Sequence, residues 1–377
     1  MKILTLIHEY PPIGGGGGRV AQDLVLGFLE AGHSVKIITS RLNGYTDQSI
    51  SEHFSILRAG KPRKAAFHVS IWEMLDYDLK AFFLGIKTIQ SWKPDVIHAH
   101  FAVPAGAVAY FLSLFSGVPY VLTAHLGDVP GAVPDKTSRW FYWVYPFTPP
   151  IWKKATRVIA VSEFTKKLAL EHYQVPIDVI HNGVDLNALP RLNRNSNPSS
   201  PLKLIFAGRL TEQKNPFDLI NALGKLAGKN WTLSVMGDGP LLLPTRHLAE
   251  KLGISSQITF YGWVTPEQVL DAFAEHDVLL LPSSSEGLSV VGVQALAMGL
   301  AMILSQAGGN PELVDGKNGI LIPVGDVNAL AENIDKFIED REYLTSAQGA
   351  SLRYAQRFSL DQIINQYLSA LDSACGQ

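Results

Sequence analysis

The chain has 377 residues, is 47% hydrophobic and 18% charged, and carries a net charge of −2 with a pI near 6.6. This is the composition of a globular protein with two domains as the prior, and it lacks the basic excess of a nucleic-acid binder. The single cysteine, Cys375, excludes an internal disulfide or a cysteine metal cluster and fits a reducing cytosol.

The first apolar run, 3–7, reads as a strand. It is too short for a signal peptide and lacks a small-residue cleavage site. Residues 20–31 have helical spacing and stop at Gly32, and 34–39 reads as the next strand. Further strands are predicted over 95–100, 120–124, 157–161 and 178–181, with helical stretches between most of them. Two uncharged runs, 101–124 and 287–311, are long enough to span a bilayer. Pro104, Gly117 and Pro119 interrupt the first, and Gly299 with Gly308-Gly309 interrupts the second. Each is read as a buried helix followed by a buried parallel strand, with no transmembrane helix.

Residues 187–201 are rich in Pro, Ser and Asn and read as an interdomain linker. After them the alternation restarts. Strands are predicted over 203–207, 232–236, 258–261, 278–281, 301–305 and 320–323, with helices over 216–227, 239–252, 266–275, 290–298 and 327–340. A last amphipathic pattern, 360–372, is expected to pack back on the first domain. The expected fold class is α/β, with two doubly wound parallel sheets: a first domain over 1–186 that takes back helix 358–377, the linker, and a second domain over 202–357. Two such domains facing each other form a cleft, and chemistry belongs just past the strand ends.

The motifs obey that rule. Gly14–Gly18 follows the first strand and precedes a helix, so its backbone amides can approach a ligand. The dinucleotide pattern fails because Arg19 takes the third glycine's place, and no Gly-Lys-Ser/Thr P-loop is present. Arg209 and Lys214 follow the strand 203–207, ahead of a helix opened by Asn215-Pro216; two cations and a helix N-terminus suit a diphosphate. His125 and Asp128 follow the strand 120–124, where a histidine can bind a hydroxyl or move a proton. His98 and His100 alternate onto one face, without a third ligand for zinc. Asp76-Tyr77-Asp78 has D-x-D spacing but sits in a helical pattern, so it reads as a solvated helix face. The aromatic stretch 139–152, flanked by Lys136, Lys153 and Lys154, reads first as core and second as a peripheral membrane contact through 136–154. Finally, Glu286 stands on a Ser/Gly-rich loop with a helix just after it and Gln294 eight residues on. A carboxylate beside a helix N-terminus suits a ligand with both hydroxyls and phosphate.

In this order the motifs resemble a GT-B glycosyltransferase of the retaining family 4 type. The resemblance rests on the first glycine loop, Thr123-Ala-His125 with Asp128, Asn182-Gly-Val-Asp185, Ala207-Gly-Arg209, Lys214, Met236-Gly-Asp-Gly-Pro240, Phe260-Tyr-Gly262-Trp-Val264, the 286–294 segment and Gly308-Gly-Asn-Pro-Glu312. It implies a metal-independent transferase moving a hexose from a nucleotide sugar, UDP-glucose or a related UDP-sugar, to a glycan or lipid-linked acceptor, with no cofactor beyond that donor. Arg209 and Lys214 would offset the diphosphate charge, with Gly208 and Gly237 at the neighbouring strand ends. Glu286 and the amides of Gly287, Leu288 and Ser289 would hold the sugar, Gln294 the ribose, and Val264 the base. His125 would face the sugar, and Gly15, Gly16, Gly17 and Asp128 would line the site from the first domain. The implied location is cytoplasmic, with a peripheral place at the inner membrane face as the second option. The family pattern has glutamate where this chain has Gln294, and Phe-Gly where it has Leu288-Ser289, which implies altered ribose binding. The alternatives are a nucleotide-sugar epimerase of the same fold and a catalytically weak sugar-nucleotide-binding homologue.

Overall fold

The computed structural model describes residues 1–63, 70–132, 144–193 and 199–376. The chain forms two compact units, one of Met1–Asn182 with Leu360–Gln377 and one of Gly183–Ser359.

In unit 1 the sheet is built from β1 (Lys2–Leu6), β2 (Ser34–Leu42), β3 (Gln48–Ser49), β4 (Phe54–Arg63), β5 (Val96–His100), β6 (Tyr120–Ala124), β7 (Arg157–Ala160) and β8 (Asp178–Val179), in the order β3-β4-β2-β1-β5-β6-β7-β8. Residues of β5 and β6 are buried along their whole length because helices cover both faces of a parallel sheet. The helices are α1 (Gly16–Glu30), α2 (Ile71–Trp92), α3 (Ala107–Ser116), α4 (Pro149–Lys154) and α5 (Glu163–Leu170). Ser70 and Glu73 start α2 with a reciprocal capping box, and Ser162 caps α5.

Three sequence expectations change here. The sheet is not wholly parallel: β3 runs antiparallel to β4. Strand β4 lies outside the predicted strands; it buries Arg58 and Arg63 beside Phe54, Ile56 and Ala59, and the two arginines donate to the Thr46 and His8 carbonyls. The Asp76–Asp78 face is not the solvated one. Asp76 accepts from the Lys61 amide and Asp78 turns inward with a buried Oδ1, where burial pushes its pKa up to about 8. Of the aromatic stretch, 136–143 lies outside the described residues; Trp152 is fully buried, its ring stacked 4.3 Å from that of Tyr173.

In unit 2, β9 (Leu202–Ala207), β10 (Trp231–Met236), β11 (Ile258–Gly262), β12 (Val278–Leu281), β13 (Ala301–Ser305) and β14 (Gly319–Ile322) form an all-parallel sheet in the order β11-β10-β9-β12-β13-β14. It is flanked by α6 (Pro216–Gly224), α7 (Leu242–Lys251), α8 (Pro266–Phe273), α9 (Val290–Ala297), α10 (Val327–Glu339) and α11 (Arg341–Tyr354). Thr265 and Gln268 form the capping box of α8. The run 287–311 does become helix α9 followed by the fully buried β13. Leu186, Leu189 and Leu192 line a cavity of about 340 Å³ with Ala297, Met298 and Leu352. Among the described residues no helix is long and apolar enough to cross a membrane.

The last helix, α12 (Leu360–Cys375), packs on α1, β5 and β6. Its closest approach is at Gly27, where an added Cβ would lie 2.0 Å from Ile364 Cδ1. Gly27→Ala is expected to lower unfolding stability by about 1–3 kcal/mol through overpacking, although alanine is the better helix former. Ile364→Val in the same chain should recover part of that loss, as urea denaturation of the single and double variants would show.

Candidate functional site

Both sheets place their chemistry where the strand order reverses. In unit 2 the reversal lies between β9 and β12, and the loops that follow these strands meet there. The turn 212–214 after β9 carries Lys214, and the loop after β12 carries Glu286. Their side chains, 72 residues apart in sequence, form an ion pair between Nζ and Oε1 that is 19% and 8% exposed.

Gln213 fastens the two loops. Its Nε2 donates to the Ser285 carbonyl at 2.8 Å, and its own carbonyl accepts from the Ser284 amide at 2.8 Å. A third loop, after β13, closes on Glu286 from the other side. Gly309 N donates to the Glu286 carbonyl at 3.0 Å. At Gly308, with φ +57°, a Cβ would stand 1.8 Å from that same oxygen, so no other residue fits there without moving the backbone. Glu286 is thus held by its carbonyl as well as its carboxylate.

The other predicted residues of unit 2 lie along the same edge of the sheet. Gly208 follows β9 and donates to the Met236 carbonyl at 2.9 Å; Gly237, with φ +149°, lies so close that a Cβ there would be 1.9 Å from the Gly208 carbonyl. Arg209 is exposed, and Val264 is half-buried just before the Thr265 cap. Leu288 is buried, and Ser289 spends its hydroxyl on capping α9 through Gly292 N at 3.1 Å. Gln294, one turn into α9, is 8% exposed, and its amide makes no hydrogen bond to another described side chain or backbone group. Asn215 sits at φ +51° between the Lys214 turn and α6, whose first amides have no side-chain cap.

In unit 1 the reversal lies between β1 and β5. Beyond β1, the glycine loop wraps Glu9: Gly15 N donates to its Oε2 at 3.4 Å, and a Cβ on Gly18 would lie 2.2 Å from its carbonyl. Gly16 opens α1, and Gly17 abuts the Phe101 ring. Burial works to raise the Glu9 pKa, but the His8 hydrogen bond and charge and the Gly15 amide outweigh it and hold the carboxyl at about 2. The amide predicted for a ligand is therefore already facing a carboxylate.

Along β5 and just past β6 a row of histidines forms. His98 Nε2 contacts Thr123 Oγ1 at 2.9 Å, and the His98 and His100 rings lie 4.2 Å apart. His100 Nδ1 and His125 Nε2 share a hydrogen bond at 2.9 Å. Burial lowers all three: His98 to about 3, His125 to about 4, and His100 well below its ordinary value, with the neighbouring rings adding to the effect at His98 and His100. They are neutral at pH 7, so His125 can hydrogen-bond a ligand but not offer it a charge. Asp128 is buried and gives both oxygens to backbone amides, those of His125 at 3.0 Å and Ala102 at 2.7 Å. It braces the two loops instead of presenting a free carboxylate. Phe101 and Leu126, at φ +70° and +86°, are non-glycine residues in the left-handed region, strain of a kind that gathers at ligand sites.

Sequence reasoning passed over Gln213, Glu9 and Phe101 and assigned no role to Gly308. Only the double glycine after β13 carried a local signal. Among the described residues no group of three or more His, Cys, Asp or Glu is placed to hold a metal ion.

Comparison with known proteins adds to this geometry. Residues 14–188 match the family model Glycosyltransferase Family 4, and residues 191–351 match Glycosyl transferases group 1. TuaC of Bacillus subtilis (strain 168), assigned as a teichuronic acid biosynthesis glycosyltransferase, is 30% identical, with 89% of each chain covered. Among solved structures, sucrose-phosphate synthase from Thermosynechococcus elongatus matches with a TM-score of 0.86 at 19% identity, over 99% of this chain and 98% of its own. Anabaena HepE in complex with UDP and glucose matches with a TM-score of 0.77 at 20% identity, over 99% of this chain and 100% of its own.

The buried histidines have a pH signature. Their folded pKa values lie below the unfolded value of 6.5, so the unfolded chain takes up protons that the folded one refuses as pH falls from about 6.5 toward 4. Their contribution is full above 6.5 and lost below it, at up to about 1.4 kcal/mol per pH unit for each group. Asp128, raised by burial to about 6, acts in the opposite direction between its unfolded value of 3.8 and 6. His100→Asn is therefore expected to lose less stability than the native chain between pH 7.5 and 5, as urea denaturation at both pH values would measure.

Proposed function

The chain belongs to the group 1 glycosyl transferases and has the GT-B fold, and from that premise we propose that it moves a hexose from a UDP-sugar, UDP-glucose or a close relative, to a glycan or lipid-linked acceptor with retention of configuration. The observation that carries this reading is the Lys214–Glu286 pair, a cation and a carboxylate held together at the switch point of unit 2. One suits a diphosphate, the other sugar hydroxyls, and a nucleotide sugar has both. HepE, of the same fold, is in complex with UDP and glucose, and TuaC is named for teichuronic acid biosynthesis.

In this reading the donor diphosphate draws Lys214 away from Glu286. Arg209, Lys214 and the uncapped start of α6 meet the negative charge that grows on the departing phosphate. This supplies the charge stabilisation without calling on a metal. Glu286, freed from Lys214 but still fixed through its carbonyl, accepts sugar hydroxyls, with the amides of Gly287, Leu288 and Ser289 beside it. Gln294 takes the ribose hydroxyls and Val264 meets the base through its backbone. Neutral His125 gives the sugar a hydrogen bond, and a phosphate oxygen of the leaving group assists deprotonation of the acceptor on the same face. Glu9, ionised beside the glycine loop, suits an acceptor hydroxyl better than a phosphate. The proposed place of work is the cytoplasm, at the inner membrane face when the acceptor is lipid-linked.

A thermal-shift screen of nucleotide diphosphates and nucleotide sugars tests the ligand class, because binding to the folded state raises the melting temperature by mass action. No shift with any UDP compound would remove the donor assignment. Arg209→Ala and Lys214→Ala should each lower turnover at saturating donor by about a hundredfold or more; near-normal kcat in both would end their role. Gln294→Glu should tighten UDP binding roughly tenfold, since a charged acceptor makes stronger hydrogen bonds. It should also lower the melting temperature of the ligand-free protein, because the new carboxylate is buried without a partner. Calorimetric titration with UDP and a melting curve separate the two effects.

A further inference from the structure

The outward face of α2 is apolar. Trp72, Leu75, Leu79 and Phe83 recur every three or four residues, which places them on one side of the helix. Trp72 is 80% exposed and Phe83 63%, and the two leucines are each more than half exposed. The stripe runs about 16 Å, eleven residues at roughly 1.5 Å each.

Helix α3 widens it. The Phe82 ring lies 5.5 Å from Phe83 and 5.8 Å from Phe115, so the two helices share one aromatic seam. Phe115 is 69% exposed, and Leu114 and Phe111 about half. The run 101–124 is thus only partly a buried helix. Together these side chains present an apolar area on the order of several hundred Å², at or above the largest patch of an ordinary monomer.

The exposed charges on the helix itself are lysines. Lys80 and Lys87, two helical turns apart on one flank, are exposed, as is Lys61 at the end of β4. The acids of the same helix are drawn away: Glu73 into the capping box with Ser70, Asp76 onto the Lys61 amide, and Asp78 inward. A tryptophan-bearing apolar face with exposed lysines along its side and no exposed acid on the same helix is complementary to the anionic surface of a bilayer, whose interior takes the rings and whose headgroups take the ammonium groups.

The geometry points to α2 and the end of α3 as a surface on which the protein docks, with the helix lying in the plane of the membrane, onto anionic lipid. The proposal does not depend on the donor assignment, because no residue of the face serves the proposed transfer. It would hold the enzyme where a lipid-linked acceptor is found.

The experiment is co-sedimentation of the full chain with vesicles of phosphatidylcholine alone and of phosphatidylcholine mixed with phosphatidylglycerol. The native protein is expected to partition onto the mixed vesicles. The double variant Trp72→Ser/Phe83→Ser should lose binding at least about tenfold, given the apolar area removed. Lys80→Gln/Lys87→Gln should lose about fivefold per lysine on the mixed vesicles and little on neutral ones. Both variants change exposed side chains, so unaltered melting temperatures and donor hydrolysis are expected alongside. Failure of the native protein to sediment with mixed vesicles, or equal binding by both variants, overturns the proposal. A dimer in sedimentation velocity that Trp72→Ser/Phe83→Ser dissociates also overturns it, and assigns the face to a second copy of the chain.

Discussion

A carboxylate that is almost fully buried must be paired, and at Glu286 that requirement organises the whole active edge of unit 2. The Lys214 ammonium meets its side chain while Gly308 and Gly309 clasp its carbonyl. Breaking such a pair costs about 3–5 kcal/mol when one charge is left alone. The loops after β9, β12 and β13 are therefore not independent, and Gln213 ties the first two together a second time. A ligand that separates Lys214 from Glu286 must replace each partner, one with an anion and the other with hydroxyl donors. In the proposed reading the Lys214–Glu286 pair is thus an electrostatic template for a donor that carries both phosphate and hydroxyls.

Unit 1 solves a different problem with neutral groups. Its histidines form a row along β5 and just past β6, where burial makes protonation costly. Asp128 is consumed by two amides and holds the loops after β5 and β6 in register. The result is a row of neutral imidazoles with the ionised Glu9 within electrostatic reach of His125. Charge stabilisation in the proposed reaction is left to unit 2.

The legible parts of the molecule were those that follow an apolar run. Arg209, Lys214, His125 and Glu286 each stand just past a buried strand, and a parallel sheet puts such positions at its ligand-binding edge whatever the loops look like. Strand β4 was hidden because arginines share its burial with a few apolar residues, and the roles of Gln213 and Gly308 because each exists only opposite a distant backbone. Asp76 and Asp78 misled for a related reason. Charged residues on a helix ordinarily face water, yet here the adjacent strand end and the core take them, and Trp72, Leu75, Leu79 and Phe83 face out.

The order of strands and helices, the two sheets and the family motifs were thus determined by the amino-acid sequence alone, since periodicity and strand-end position are local properties. The tertiary structure decided which residues meet. Lys214 and Glu286 are brought together across 72 residues by the neighbouring of β9 and β12, and His100 and His125 across 25 by that of β5 and β6. It also decided which face of α2 is left exposed among the described residues, because burial depends on what the rest of the chain places against a helix, and periodicity marks an apolar stripe without saying whether anything covers it.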